Sequence, residues 1–263
     1  MESYETVLAE CRRLVVSSIV ERRSGHLCSS LSILDILVSV LLREWDNDTR
    51  SFNSDVVLSK GHAAPALYAV LSLLDDTLPP LPGALRRLTS PYEGHPARRL
   101  IAHVPVSTGA LGLGLAWSVG RAIALEREGS SRRVIALVSD GELQCGVSYE
   151  ALRLAAIQRA KNLTIIVDHN RWQTDGPLRD DPEGLLNALG FDVHSFDGHR
   201  QSAIEDALRL TSDSTMVLVG ETLRCAGLSA RYLEGPEVYG ESIDDNQAFD
   251  LLTEVGVVTK SPT

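Results

Sequence analysis

Residues 134–151 read VIALVSDGELQCGVSYEA. The run from Val134 to Ser139 is apolar or small throughout and stops at Asp140-Gly141. A continuous apolar run of this length, closed by a turn signal, reads as a strand buried on both faces, the kind found in parallel sheets. A helical pattern begins near residue 145, so the segment is a strand, a polar turn and a helix. The stretch NLTIIVDHN, residues 162–170, repeats the pattern of an apolar run ending in polar groups. Asp140 and Asn170 are 30 positions apart, one strand-helix-strand step. Ligands of open parallel sheets gather at the carboxyl ends of the strands, and these two residues would stand side by side if their strands are neighbours. A carboxylate oxygen and an amide carbonyl oxygen form a hard-cation donor set that a diphosphate could complete. Gly141 would let the backbone turn closely, and the next helix would present its amino terminus to phosphate. Taken singly, Asp-Gly is also a common turn and Asn170 a common Asx cap.

Outward from this centre, residues 3–22 read as a helix broken by RRSGH, and SILDILVSVLLREW as a second helix. DVVLS, residues 55–59, reads as a short strand, and KGHAAPALYAVLSLL as a helix that tolerates Pro65 in its first turn. Residues 75–107 are proline-rich and read as an ordered loop, a feature that is often functional within a domain. TGALGLGLAWSVGRAIALERE reads as glycines followed by a helix, RRVIALVS as a strand and residues 145–159 as a helix. Then come the helix EGLLNALG, the strand FDVHSFDG, the helix SAIEDALRL and the strand TMVLVGET. This alternation predicts an α/β fold: three α/β/α layers around a mostly parallel central sheet. No repeat or linker divides the chain, so residues 1–263 are expected to form one domain, with a core over about 10–222 and an irregular carboxyl-terminal extension over about 223–263.

The formal net charge is −10 and the arginine pairs are scattered, which argues against nucleic acid as a partner. The apolar runs are too short to span a membrane. Four cysteines (Cys11, Cys28, Cys145 and Cys225) show no CxxC spacing, so free thiols in a reducing cytoplasm are expected. The amino terminus, MESYETVLAE, lacks a signal-peptide pattern.

The stretch SDGELQCGVSYEALRLAAIQRAKNLTIIVDHNRWQTDG resembles the thiamine-diphosphate motif, and more specifically the amino-terminal half of transketolases. SGHLCSSLSILDIL, LSKGHAAPALYAVL, EGHPARR, VSTGALGLGLAWSVGRAIAL and TDGP follow the family's order, over about residues 10–240. The resemblance implies the thiamine-diphosphate-binding fold, with thiamine diphosphate and Mg2+ as cofactors. Asp140, Asn170 and the carbonyl of Trp172 would ligate Mg2+. Gly141 and Glu142 would lie beside the diphosphate. Gly109 would offer its carbonyl to the pyrimidine amino group, Leu111 would pack near the rings, and Thr174 would pack on the thiazolium side. His62 would contact the diphosphate, while His26 and His95 would contact hydroxyls and carbonyl of the donor sugar; imidazoles suit hydrogen bonding and proton transfer near neutral pH.

The implied reaction moves a two-carbon ketol unit from a ketose or ketose phosphate to an aldehyde-type acceptor. The pyrimidine-binding and carboxyl-terminal domains of a transketolase do not fit after residue 240. The resemblance therefore implies that a separate chain binds the pyrimidine, in an α2β2 assembly with contacts between like chains near Gly109–Gly120 and the helix after Asp140. The sequence also departs from the family. Ser139 and Cys28 stand where glycine is common, Ala97 where glutamate is frequent, and TLRCAG replaces a basic glycine-rich stretch. Tyr239 replaces a histidine expected near diphosphate and substrate, and Cys145 a glutamate of an acidic network between cofactor sites; Glu150 keeps an acidic position. Arg98 and Arg99 are the candidates on this chain for the acceptor's phosphate. These changes leave room for an acceptor from a specialised biosynthetic pathway, for α-keto acid decarboxylation or acyloin formation, or for a non-catalytic regulatory role.

Overall fold

The computed structural model of the protein describes residues 3–173, 176–232 and 237–258; Thr174 lies outside the described residues. Five strands form one parallel sheet: β1 (Asp55–Leu58), β2 (Val134–Ser139), β3 (Leu163–His169), β4 (Val193–Asp197) and β5 (Met216–Glu221). Their spatial order is β1-β2-β3-β5-β4. The neighbours that the strand spacing calls for are β2 and β3. Ser139 registers with Asp168, and the Asp140 N–H donates to the Asp168 carbonyl at 3.2 Å. Two helix layers cover the sheet, which makes the expected three-layer α/β/α fold.

Every residue of β2 is buried, because its alternate side chains serve two different cores. Ile135 and Leu137 face the core built with α1 (Tyr4–Arg22), α2 (Leu27–Glu44) and α3 (Ala64–Leu74). Val134, Ala136 and Val138 face the core built with α4 (Leu113–Arg127) and α5 (Gly146–Gln158). The short helix α6 (Pro182–Ala188) joins the second core through Leu186, and α7 (Gln201–Leu208) joins the first through Ile204. Helix α2 is buried around nearly its whole circumference, as a helix enclosed by other elements must be.

Two sequence expectations are corrected. The carboxyl-terminal extension is not wholly irregular: α8 (Asp245–Glu254) packs Ala248 and Leu251 into the first core. A reciprocal capping box starts it, with Asp244 accepting from the Gln247 N–H at 2.8 Å and Gln247 accepting from the Asp244 N–H at 3.1 Å. Its many polar residues obscure the short amphipathic pattern. Nor are all thiols free. Cys28 and Cys225 form a disulfide, while Cys11 and Cys145 remain free. The bonded partners are 197 residues apart in sequence, so no local spacing announces them. The chain leaving β5 runs directly over the first turn of α2, where the Cys225 N–H donates to the Cys28 carbonyl at 3.3 Å. Among the described residues no helix is long and apolar enough to cross a membrane.

The loop over residues 75–107 is irregular but packed, burying Leu81, Leu85, Tyr92 and Ile101. It delivers the chain to α4, whose second residue is Gly114. A Cβ placed there would lie 2.7 Å from both the Cα and the Oγ of Ser59, which follows β1. Only glycine permits this approach of helix to strand end. Gly114→Ala is expected to cost about 1–3 kcal/mol through overpacking, read as a lower midpoint in urea unfolding at an unchanged slope.

Candidate active site

The carboxyl edge of the sheet carries two buried polar knots. The first begins where β1 ends. The Lys60 ammonium pairs with the Asp168 carboxylate of β3, and both side chains are fully buried. Asp168 also accepts from Ser32 of α2 and from Thr222, which follows β5. A buried carboxylate must be neutralised and hydrogen-bonded to remain charged, and here three elements beyond its own strand do so. The Ser32 hydroxyl in turn accepts from the Asn170 amide at 3.1 Å, which orients that side chain. The Asn170 carbonyl oxygen accepts from the Trp172 N–H at 3.0 Å.

The second knot centres on Glu142, also buried. Its carboxylate accepts from the Ser59 hydroxyl, from the Gly112 N–H at 2.7 Å and from the Ser139 N–H at 3.3 Å. The Ser59 oxygen then accepts from the Leu115 N–H at 2.9 Å. Glu142 therefore ties the ends of β1 and β2 to the start of α4. Burial raises its pKa, opposed by these donors. The sequence reading expects it beside a diphosphate; its oxygens are committed to the protein's own groups.

Between these knots lies a pocket of about 520 Å³. Its walls bring together His26, His62, His95, Gly109, Leu111, Gly141, Glu142, Asn170, Trp172 and Tyr239, which the sequence marks at widely separated positions. The His26 ring centroid lies 5.1 Å from that of His62 and 5.0 Å from that of Tyr239. The His95 ring sits over Gly109, where an added Cβ would be 2.9 Å from its Cγ. Asp140 is buried under the wall. Its carboxylate accepts from the Gly141 N–H at 2.8 Å and the Arg171 N–H at 2.7 Å, with His169 Nδ1 at 3.1 Å. The hydrogen bond to Asp140 raises the pKa of His169.

The remaining candidates fall elsewhere. Arg99 pairs with Glu93, and Arg98 lines a separate cavity with Arg121 and Arg132. Cys145 lines the pocket beside α5, its thiol pKa raised by burial. Six wall residues have no site role in the sequence reading: Ser29, Lys60, Gln144, Gln173, Arg224 and Glu237. Arg224 stands in TLRCAG, which reads as a loss of basic character, yet its buried guanidinium stacks on the Trp172 ring at 4.2 Å. A cation is thus retained in the wall, paired with Glu237 at 3.5 Å.

Residues 3–224 match the family model "Transketolase, thiamine diphosphate binding domain". The chain is 31% identical over 258 residues to one subunit of the apulose-4-phosphate transketolase of Actinobacillus succinogenes, covering 92% of this chain and 91% of that protein. It is also 31% identical over 237 residues to the 6-deoxy-6-sulfo-D-fructose transketolase subunit SqwG of a Clostridium species, covering 85% of each. In fold it is similar to a transketolase from Pichia stipitis, with a TM-score of 0.82 at 23% identity, covering 97% of this chain and 41% of that one. The chain belongs to the transketolase family, as its thiamine-diphosphate-binding half, and is a transketolase-type transferase.

Two outcomes follow from the site's electrostatics. Lys60→Met leaves the buried Asp168 carboxyl without its ammonium partner, and is expected to destabilise the fold by about 3–5 kcal/mol in denaturant unfolding; adding Asp168→Asn should recover part of that loss. Burial, reinforced by the nearby Lys60 charge, drives the His62 pKa from 6.5 down to about 2. The unfolded chain protonates this imidazole near pH 6.5 and the folded chain does not, so this group withdraws stability as pH falls below 6.5 and is neutral in its effect above it. The ring-proton resonances of His62 should hold a constant shift from pH 8 to pH 5.

Proposed function

We propose that this chain is the diphosphate- and Mg2+-binding subunit of a two-chain transketolase, which transfers a two-carbon ketol unit from a ketose phosphate or related anionic ketose to an aldehyde acceptor. The observation that carries this reading is the placement of Asp140 and Asn170 at the ends of adjacent parallel strands, beside a pocket lined by three histidines. The relatives named as apulose-4-phosphate and sulfofructose transketolase subunits support a ketose with an anionic terminus.

The donor set fits Mg2+. A carboxylate has about four lone-pair positions, and the hydrogen bonds to Asp140 account for three of them. The Asn170 carbonyl accepts one hydrogen bond and keeps a second lone pair. The Trp172 carbonyl oxygen faces Gly141, 3.6 Å from where its Cβ would be. Asp140, Asn170 and the Trp172 carbonyl would thus supply three hard oxygens, with the cofactor's diphosphate as the remaining anion. Thiamine diphosphate, when bound, supplies the electron sink for breaking and remaking the bond beside the ketose carbonyl.

The chain's own residues hold and orient. The amino terminus of α5 favours negative charge. Neutral His62 can donate to or accept from an anionic ligand without adding a charge. His26 and His95, both with pKa values lowered mainly by burial, can hydrogen-bond sugar hydroxyls and move a proton between them. Tyr239 would donate a hydrogen bond at the position of a histidine, which favours binding over proton transfer.

A separate pyrimidine-binding subunit would complete the site, in an α2β2 assembly. In support, Leu111, Leu113, Tyr149, Leu154 and Ile157 are large apolar side chains exposed on or beside α4 and α5, the elements for which contacts between chains are expected. Co-expression with such a partner should give ketose-to-aldehyde two-carbon transfer. Asp140→Asn should weaken Mg2+-dependent cofactor binding by roughly 10–100-fold or more in calorimetry. Release of CO2 from an α-keto acid without ketol transfer would overturn the proposal.

A further inference from the structure

Glu237 belongs to none of the motifs read from the sequence, yet its carboxylate occupies a prominent place in the pocket wall. The segment that carries it is fastened to the start of α2. The Leu27 N–H donates to the Val238 carbonyl at 3.1 Å, and the Gly240 N–H to the Gly25 carbonyl at 2.8 Å. His26, at the N-cap position of α2, makes no side-chain cap. Glu237 supplies one from more than 200 positions away. One oxygen accepts from the N–H groups of Cys28 at 2.8 Å and Ser29 at 3.3 Å. The other accepts from the Ser29 hydroxyl at 2.7 Å and lies 3.5 Å from the Arg224 guanidinium.

Two helix-terminal N–H groups, a hydroxyl and a buried guanidinium make a receptor for an anion. Arg224 is held in place independently of Glu237, by stacking on Trp172 and by the disulfide at the adjacent Cys225. The receptor would therefore persist without its carboxylate. In the native chain it is filled by the protein itself.

We infer that Glu237 is a specificity-determining residue: by occupying this receptor with the protein's own carboxylate, it excludes anionic groups of small molecules from the end of the pocket beside His26 and Tyr239. That end is left to neutral, hydroxyl-bearing parts of the substrate, while a phosphate or sulfonate terminus must lie elsewhere. Discrimination comes from a repulsive charge already in place, rather than from a new attraction to the correct sugar. The assignment of the excluded group to a sugar substrate rests on the transketolase reading; the existence of a filled anion receptor does not.

The test uses sulfate as probe, by calorimetry on the purified chain at constant ionic strength. Glu237→Ala should bind sulfate at least about tenfold more tightly than the wild type, about 1.4 kcal/mol at 25 °C. The gain should vanish in Glu237→Ala/Arg224→Gln, measured against Arg224→Gln alone, and should be absent in Glu237→Asp. If Glu237→Ala does not fold, Glu237→Gln, which keeps the shape and removes the charge, should show a gain in the same direction. In the assembled transferase, the same variant should become sensitive to competitive inhibition by sulfate against the donor, raising the apparent KM more than it lowers kcat. No gain in sulfate affinity, or a gain that survives Arg224→Gln, overturns the inference. Absence of ketol transfer by the wild-type assembly would instead count against the transketolase reading and leave the calorimetric result standing.

Discussion

A lysine and an aspartate shut away from water hold the carboxyl edge of the sheet together. Lys60 follows β1 and Asp168 lies in β3, and neither could stay charged there without the other. Ser32 and Thr222 complete the shell, so one ion pair reaches into α2 and the exit of β5 as well. The orientation of Asn170 follows through Ser32. Glu142 makes a matching tie to the start of α4, again with oxygens satisfied by several elements. Burying charge is unfavourable in itself. Its return here is geometric: strand ends, which would otherwise fray into loops, become fixed points for a site.

Much of this is legible in the chain's order of residues. The apolar run ending at Asp140 and its partner ending at Asn170 reveal both the strand type and the pairing of the two strands, because a parallel sheet leaves its mark as doubly buried strands. The histidines are visible because each follows glycine within an ordered motif. What cannot be read depends on contacts between distant segments. Lys60 sits in plain view within SKGH, but its meaning depends on Asp168, more than 100 positions away. Glu237 and Arg224 acquire their roles only when the chain returns across α2. The extension's helix is hidden for a different reason: most of its residues are polar, and only the cap and two buried side chains mark it.

The chain's departures from its family fall on both sides of the pocket. Tyr239, Cys28 and the TLRCAG stretch lie where the segment after β5 meets α2, beside Glu237. On the opposite side Ser139 and Cys145 depart from the motif, while Asp140, Gly141 and Asn170 keep it.

The bond between Cys28 and Cys225 encloses most of the described chain in a single covalent ring. Among the described residues, both sheet-edge knots, every strand and five of the eight α-helices lie wholly within it, since α2 begins just before Cys28 and only α1 and α8 lie outside. A backbone cut anywhere between these cysteines would leave the two pieces joined, and they would separate only after reduction. Conversely, the segment carrying Glu237 is tethered at its near end to the helix it caps. Its effective concentration at that helix stays high even when its own hydrogen bonds open, so the wall it forms can reclose as a local event.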